Sequence, residues 1–382
     1  MSAASTTADN SSDSAPADIF LDRITRARST MVAAGIDVLL LSVGSDLPYL
    51  SGYQAMPLER LTMLVVPRDG EATMVIPRLE APRVVERPDV FTIVPWDETD
   101  DPVALVASLA GRPAVAAIGD TMWARFLVDL LGHWPTSTTR YVRSTSVMNA
   151  LRIRKDAAEI AALQAAGAAA DRVAAQLHAG QIALVGRTEA QVSADISARL
   201  TAEGHDVVNF AIVAAGENAA SPHHHAGDRV IGQGEIVLTD FGGTMNGYCS
   251  DITRCVFTGQ PTAEIAQAYA VLHEAQAAGV AAGVVGAPCQ DVDRAARAVI
   301  ADAGFGQYFI HRTGHGIGME AHEDPYMVEG NELPIQAGHA FSVEPGIYVA
   351  GKWGMRLEDI VVATDDGPSA MNHADHSLVS IG

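Results

Sequence analysis

Ile236-Val-Leu-Thr-Asp240-Phe-Gly-Gly-Thr-Met-Asn-Gly-Tyr-Cys-Ser-Asp251 is the stretch on which the fold turns. An apolar run ends in an acid, Thr244 to Gly247 reads as a turn, and a second acid opens the β-rich run Ile252 to Thr258. A hairpin over these residues would bring Asp240 and Asp251 face to face. Taken alone, the pair has an ordinary explanation as one turn acid and one edge-strand acid. The apolar run argues against it, because burying a carboxylate costs several kcal/mol unless a cation or donor meets it.

Three segments downstream repeat the pattern. In His311-Arg-Thr-Gly-His315-Gly-Ile-Gly-Met-Glu320-Ala-His322-Glu323, glycines flank His315, which suits a backbone with unusual dihedrals aiming an imidazole inward. Phe341-Ser-Val-Glu344-Pro-Gly346 ends a second apolar strand in an acid, and Arg356-Leu-Glu358-Asp359 precedes the apolar Ile360-Val-Val362. Asp240, Asp251, His315, Glu344 and Glu358 together are hard to explain as scattered salt-bridged residues. About four negative charges would balance two divalent cations, with His315 a neutral ligand. Oxygen donors with one imidazole suit Mn2+ foremost, then Co2+, Zn2+ or Fe2+. Such a pair, about 3.5–4 Å apart, shares a water, makes it a nucleophile and polarises a carbonyl, which implies hydrolysis of an amide or similar bond.

Upstream, the chain divides by texture. Met1 to Asp18 is rich in Ser, Ala, Thr and Asp, with neither the basic start nor the apolar stretch of a secretory signal, and is expected to be a disordered tail. Over 19–145, strands are predicted at 37–42, 61–67, 72–76, 91–94 and 114–118. Helices are predicted near 19–34, after Leu79, and over 102–110 and 122–131, so a small α/β domain is expected. From 146 to 382 the pattern is helices (156–178, 189–203), strands (208–213, 235–241, 252–258), helices (263–282, 290–303), then strand and loop. That order hints at an internal duplication, and Thr188 with Gln191 forms a plausible capping box.

Composition narrows the function classes. With 382 residues, 48% hydrophobic and 19% charged, the chain has material for two folded domains. Its 46 acids against 25 bases give a formal charge of −21, which disfavours nucleic acid and anionic membrane as partners. No apolar run approaches a membrane span. The three cysteines, Cys249, Cys255 and Cys289, lack metal-finger spacing and read as reduced thiols of a cytoplasmic protein.

These motifs, in this order and approximate spacing over 146–382, resemble the pita-bread metallopeptidases, in particular the proline-specific branch of Xaa-Pro dipeptidases (prolidases) and aminopeptidase P. Leu151-Arg-Ile-Arg-Lys155 with Glu159 resembles that branch's lead-in, and Asp46-Leu-Pro-Tyr-Leu-Ser-Gly-Tyr53 resembles a motif of its N-terminal domain. The resemblance implies a creatinase/prolidase-like N-terminal α/β domain followed by a mixed α/β (α+β) pita-bread catalytic domain. It implies that Asp251 and Glu358 bridge two metal ions, Asp240 holds one, and His315 with Glu344 the other. A metal-bridging hydroxide would then attack the Xaa-Pro bond of a dipeptide or short peptide. Glu344 would shuttle the proton, His322 would hydrogen-bond the scissile group, and His223 would contact substrate across the site. His224 and His225 have a solvated loop as their alternative, and Arg356 is expected to orient Glu358 through a salt bridge. A homodimer is implied as well.

One departure stands out. Several dipeptidases of this family grip the substrate's carboxylate with an arginine between the catalytic His and the next ligand Glu, but here 323–343 contains no Arg or Lys. His339 or a partner subunit's residue is the expected substitute. Two alternatives stay open: a metal-dependent hydrolase or lyase of the same fold acting on a small non-peptide substrate, and a non-catalytic pita-bread binding module. Five intact ligand-type residues weigh against the second.

Overall fold

The computed structural model describes residues 19–381, so the tail expected over 1–18 lies outside the described residues. The described residues through Leu151 form one compact unit and those from Arg152 another.

The first unit is built on a six-stranded sheet. Its strand order is Thr92–Trp96, Thr73–Pro77, Met63–Pro67, Val38–Leu41, Val115–Ile118, Arg140–Arg143. Val38–Leu41 is entirely apolar because it lies inside the sheet, antiparallel to Met63–Pro67 on one side and parallel to Val115–Ile118 on the other. Helix Pro102–Ala110 starts at Asp101, whose carboxylate accepts from the Val103 and Ala104 amides, while Pro102 supplies a preset φ. Its Val103 and Val106 pack with Phe126 and Leu130 of helix Ala124–His133 against Val38, Leu40 and Val65. The helix expected after Leu79 is a single 3-10 turn, Ala81–Arg83, and Asp46–Ser51 forms a short helix ended by left-handed Gly52.

The second unit runs through helix, helix, strands twice, the order that hinted at duplication. Helices Ala157–His178 and Glu189–Ala202 begin with reciprocal capping boxes, Asp156 with Glu159 and Thr188 with Gln191, each worth about 1 kcal/mol. They pack on a sheet ordered Val379–Ile381, Ile252–Thr258, Ile236–Met245, Val207–Ala215. Helices Ala263–Ala282 and Cys289–Asp302 are followed by a sheet ordered Glu323–Met327, Gly314–Gly316, Ala340–Val343, Asp359–Thr364, Gly367–Ala370. A separate hairpin, Gly346–Val349 with Trp353–Arg356, packs Ile347, Tyr348 and Met355 into the core beside Leu238 and Leu272.

Cys249, Cys255 and Cys289 are unpaired and buried, and burial pushes their thiols up to about 11, 12 and 11. Among the described residues no helix is long and apolar enough to cross a membrane.

Candidate metal centre

The hairpin read from the sequence forms. Asn246 (φ 50°) and Gly247 (φ 82°) both take the left-handed conformation that a tight two-residue turn requires. Strand Ile236–Met245 then pairs antiparallel with Ile252–Thr258, setting Asp240 opposite Thr253. Asp251 sits one residue before that return strand, and an isolated bridge ties Thr253 to Glu358. From the other sheet, His315 lies on Gly314–Gly316 beside Ala340–Val343, at whose end Glu344 stands. Two sheets thus aim their acids at one place.

There the side chains converge. Donor atoms of Asp240, Asp251 and Glu358 lie within 4.8 Å of one another, and so do those of His315, Glu344 and Glu358 and those of Asp251, His315 and His322. His315 Nε2 is 3.3 Å from Glu344 Oε1 and 3.8 Å from Asp251 Oδ2. Burial, then Glu358 and Asp240, hold the Asp251 carboxyl well above its usual range, and burial, then Glu344 and Asp240, do the same to Glu358. Burial raises Glu344 to about 7, against the pull of Arg356. Burial, reinforced by His322, lowers His315 to about 3, so its imidazole is neutral.

These residues fit a cation. Among the described residues, buried Asp240 Oδ1 and Asp251 Oδ1 have no hydrogen-bond partner, which is costly for a carboxylate oxygen. Closely packed buried acids with an orphaned oxygen on each of two, plus a neutral imidazole, make an oxygen-rich donor set suited to hard or borderline divalent ions.

A hydrogen-bond network holds the donors. Arg356 donates through Nη2 to Asp240 Oδ2 at 2.5 Å, through Nε to Thr253 Oγ1 at 3.0 Å, and through Nη1 to Tyr348 Oη at 2.9 Å. Thr253 Oγ1 in turn donates to Glu358 Oε2 at 2.6 Å. Arg356 also forms the expected salt bridge to Glu358 directly, Nε to Oε2 at 4.0 Å, while its shorter bonds run to Asp240 and, through Thr253, to Glu358. Arg254, fully buried, donates to the Glu358 carbonyl and to Asp359 Oδ1, both at 2.7 Å, fixing the backbone behind Glu358.

His223 and His322 both border a cleft of about 640 Å3 with Asp240, Asp251, His315 and Glu358, walled by Phe210 and Ile212. His224 borders it too, but is tied back: its Nε2 lies 2.7 Å from Glu189 Oε2, and buried Glu189 also accepts from the Ala215 amide. His224 is thus a loop anchor. His339, the expected carboxylate anchor, is buried and hydrogen-bonds the Gln336 amide through Nδ1. Arg312 instead lines the adjoining lobe, of about 540 Å3, with His223, His322, Glu344 and Arg356. Its guanidinium lies 4.2 Å above the Tyr326 ring. Arg312 stands in the quoted His311-to-Glu323 segment, upstream of His322, whereas the family pattern places the carboxylate-gripping arginine downstream of it.

The glycines around His315 serve another purpose than the dihedral freedom expected of them. Neither Gly314 nor Gly316 has a positive φ. A Cβ on Gly314 would lie 1.9 Å from the Ser342 carbonyl oxygen, and one on Gly316 2.3 Å from that of Asp324. Close strand approach is the reason. Gly316→Ala should accordingly lower stability by about 1–3 kcal/mol or more, measured by urea titration; an unchanged midpoint would mean that the strands part freely.

Residues 160–365 match metallopeptidase family M24 and residues 23–154 the creatinase/prolidase N-terminal domain. The chain is 43% identical over 373 residues to a probable dipeptidase PepE of Mycobacterium tuberculosis, covering 96% of this chain and 97% of that one. It is 35% identical over 353 residues to an Xaa-Pro dipeptidase of Lactobacillus helveticus, covering 90% and 94%. The crystal structure of dipeptidase PepE from Mycobacterium ulcerans superposes with a TM-score of 0.89 at 45% identity, covering 95% of this chain and 98% of that one.

Proposed function

The chain belongs to metallopeptidase family M24, and from that premise we propose that it is a cytoplasmic, homodimeric Xaa-Pro dipeptidase using two divalent ions, manganese foremost. The carrying observation is the cleft itself, in which Asp240, Asp251, Glu358 and His315 face the same space as His223 and His322, with Arg312 and Glu344 in the adjoining lobe. The relatives named dipeptidase and Xaa-Pro dipeptidase support this substrate class.

Asp240, Asp251, His315, Glu344 and Glu358 would hold the ions. When bound, these supply Lewis acidity that activates water and polarises the scissile carbonyl. Glu344 takes the proton from the attacking water and returns it to the proline nitrogen as the C–N bond breaks, a role its place beside His315 in the cleft allows. His322 donates a hydrogen bond to the oxygen on which charge develops. His223, opposite, contacts the substrate. Arg312 pairs with the dipeptide's terminal carboxylate, the role that neither the segment 323–343 nor buried His339 fills.

Release of alanine from Ala-Pro and from Ala-Pro-Ala, metal-free and with Mn2+, tests the reading. Ala-Pro should be cut at least ~10-fold faster, and Arg312→Ala should raise its KM about 10–100-fold, the worth of a charge-assisted pair. Faster cleavage of the tripeptide would make the enzyme an aminopeptidase. Failure on both would move the substrate outside peptides.

A further inference from the structure

Glu323 follows His322 directly, yet its carboxylate is turned away from the cleft's chemistry. Lys155 Nζ donates to Oε1 at 2.8 Å and Arg152 Nη2 to Oε2 at 2.5 Å. The Lys155 side chain is 1% exposed and that of Glu323 8%. Arg152 also reaches Glu320 Oε1 at 3.4 Å. Burying an ammonium, a guanidinium and a carboxylate is a poor device for stability, since desolvation offsets the attraction. It is a good device for geometry, because each charge accepts few alternative positions.

The clamp fixes the turn that carries His322. The Gly318 amide donates to the Glu320 carbonyl at 3.1 Å, and the Gly318 carbonyl accepts from the Cys249 amide at 2.8 Å, tying the turn to the hairpin of Asp240 and Asp251. A Cβ on Gly318 would stand 2.5 Å from Glu323 Oε1 and 3.0 Å from Lys155 Cε, so the glycine makes room for the pair. Among the described residues, nothing hydrogen-bonds the His322 ring. Its one ring contact is edge-on with His315, at 4.0 Å between centroids and 67° between planes. Its placement thus follows from its backbone, which the Glu323 side chain holds together with the Gly318 bonds and the strand pairing of Glu323 with Gly316.

We propose that Lys155 and Arg152 are positioning residues for the hydrolysis: by gripping Glu323 they hold His322 at the scissile group. The inference rests on the role given to His322 above. In the full chain loaded with Mn2+ and assayed on Ala-Pro, Lys155→Met should lower kcat about 10–100-fold, with KM and metal content unchanged. Lys155→Arg should recover most of the loss. Adding Lys155→Met to His322→Ala should cost nothing further, since both act through one ring. In the metal-free protein, amides 319–323 should exchange hydrogen faster in Lys155→Met, a readout independent of turnover. Should the single variant fold poorly, Lys155→Met with Glu323→Gln removes the buried carboxylate oxygen left without its donor and should still lower kcat. If His322→Ala leaves kcat unchanged, the role of His322 falls, and this inference with it. If His322→Ala is slow but Lys155→Met is silent, or the two losses multiply, the positioning role alone is overturned.

Discussion

Asp251→Ala should abolish turnover, by at least a thousandfold or about 4 kcal/mol of transition-state stabilisation, and should abolish metal uptake with it. The unusual part of the expectation concerns the metal-free fold. Asp251 is buried beside Glu358, Asp240 and Glu344, and among the described residues its Oδ1 has no partner. Without cations this carboxyl is a burden on the native state, so alanine should leave the metal-free melting temperature equal to or above that of the wild type. Wild type should then gain on adding Mn2+, by about 2.7 kcal/mol at a hundredfold excess over Kd, and the variant should not. Measured manganese content, kcat and the two melting curves separate this from simple unfolding. Full activity in the variant would remove the acids from the chemistry altogether.

Acidification should stabilise the metal-free protein, contrary to the usual behaviour of paired surface acids. Asp251, Glu344 and Glu358 have folded-state values raised by burial, Glu344 to about 7. A carboxyl of this kind binds its proton more tightly folded than unfolded. Its contribution is intact below the unfolded value near 4.5 and is lost as pH rises through the folded value. Between about pH 5 and pH 8 the metal-free melting temperature should therefore fall, by the equivalent of a few kcal/mol. Manganese should flatten or reverse the trend, because metal takes the place of the protons and needs ionised ligands. Calorimetry across this window in chelator and in Mn2+ decides it. A metal-free melting temperature that rises with pH would mean that these acids ionise in the empty fold and some other cation meets them.

The centre is legible in the sequence for a physical reason. Acids at the ends of apolar strands announce buried charge, and Asp240, Asp251 and Glu344 do so at sight, while the turn between the first two is written in Asn246-Gly247. The capping box at Thr188 and Gln191 is equally local. Contacts between distant residues are not legible this way. Arg356 meets Asp240 across 116 residues, and Lys155 meets Glu323 across 168, so the sequence shows the near pair of Arg356 with Glu358 but not the shorter bond to Asp240. The glycines around His315 mislead similarly: their positions are plain, but the strand that crowds them is a tertiary fact. Helix Asp46–Ser51 contains Pro48 and is too short to show a helical period.

The strand Val379–Ile381 runs parallel to Val256–Thr258, completing the sheet that carries Asp240, and Thr253 meets Glu358 from 105 residues away. Contacts of such sequence separation close late, after the loop entropy between them has been met. A nascent chain that has emerged only as far as the hairpin thus holds Asp240 and Asp251 without the residues that finish their surroundings. The cluster is complete only once His315, Glu344 and Glu358 have followed, so a chain still short of them holds two acids and no centre.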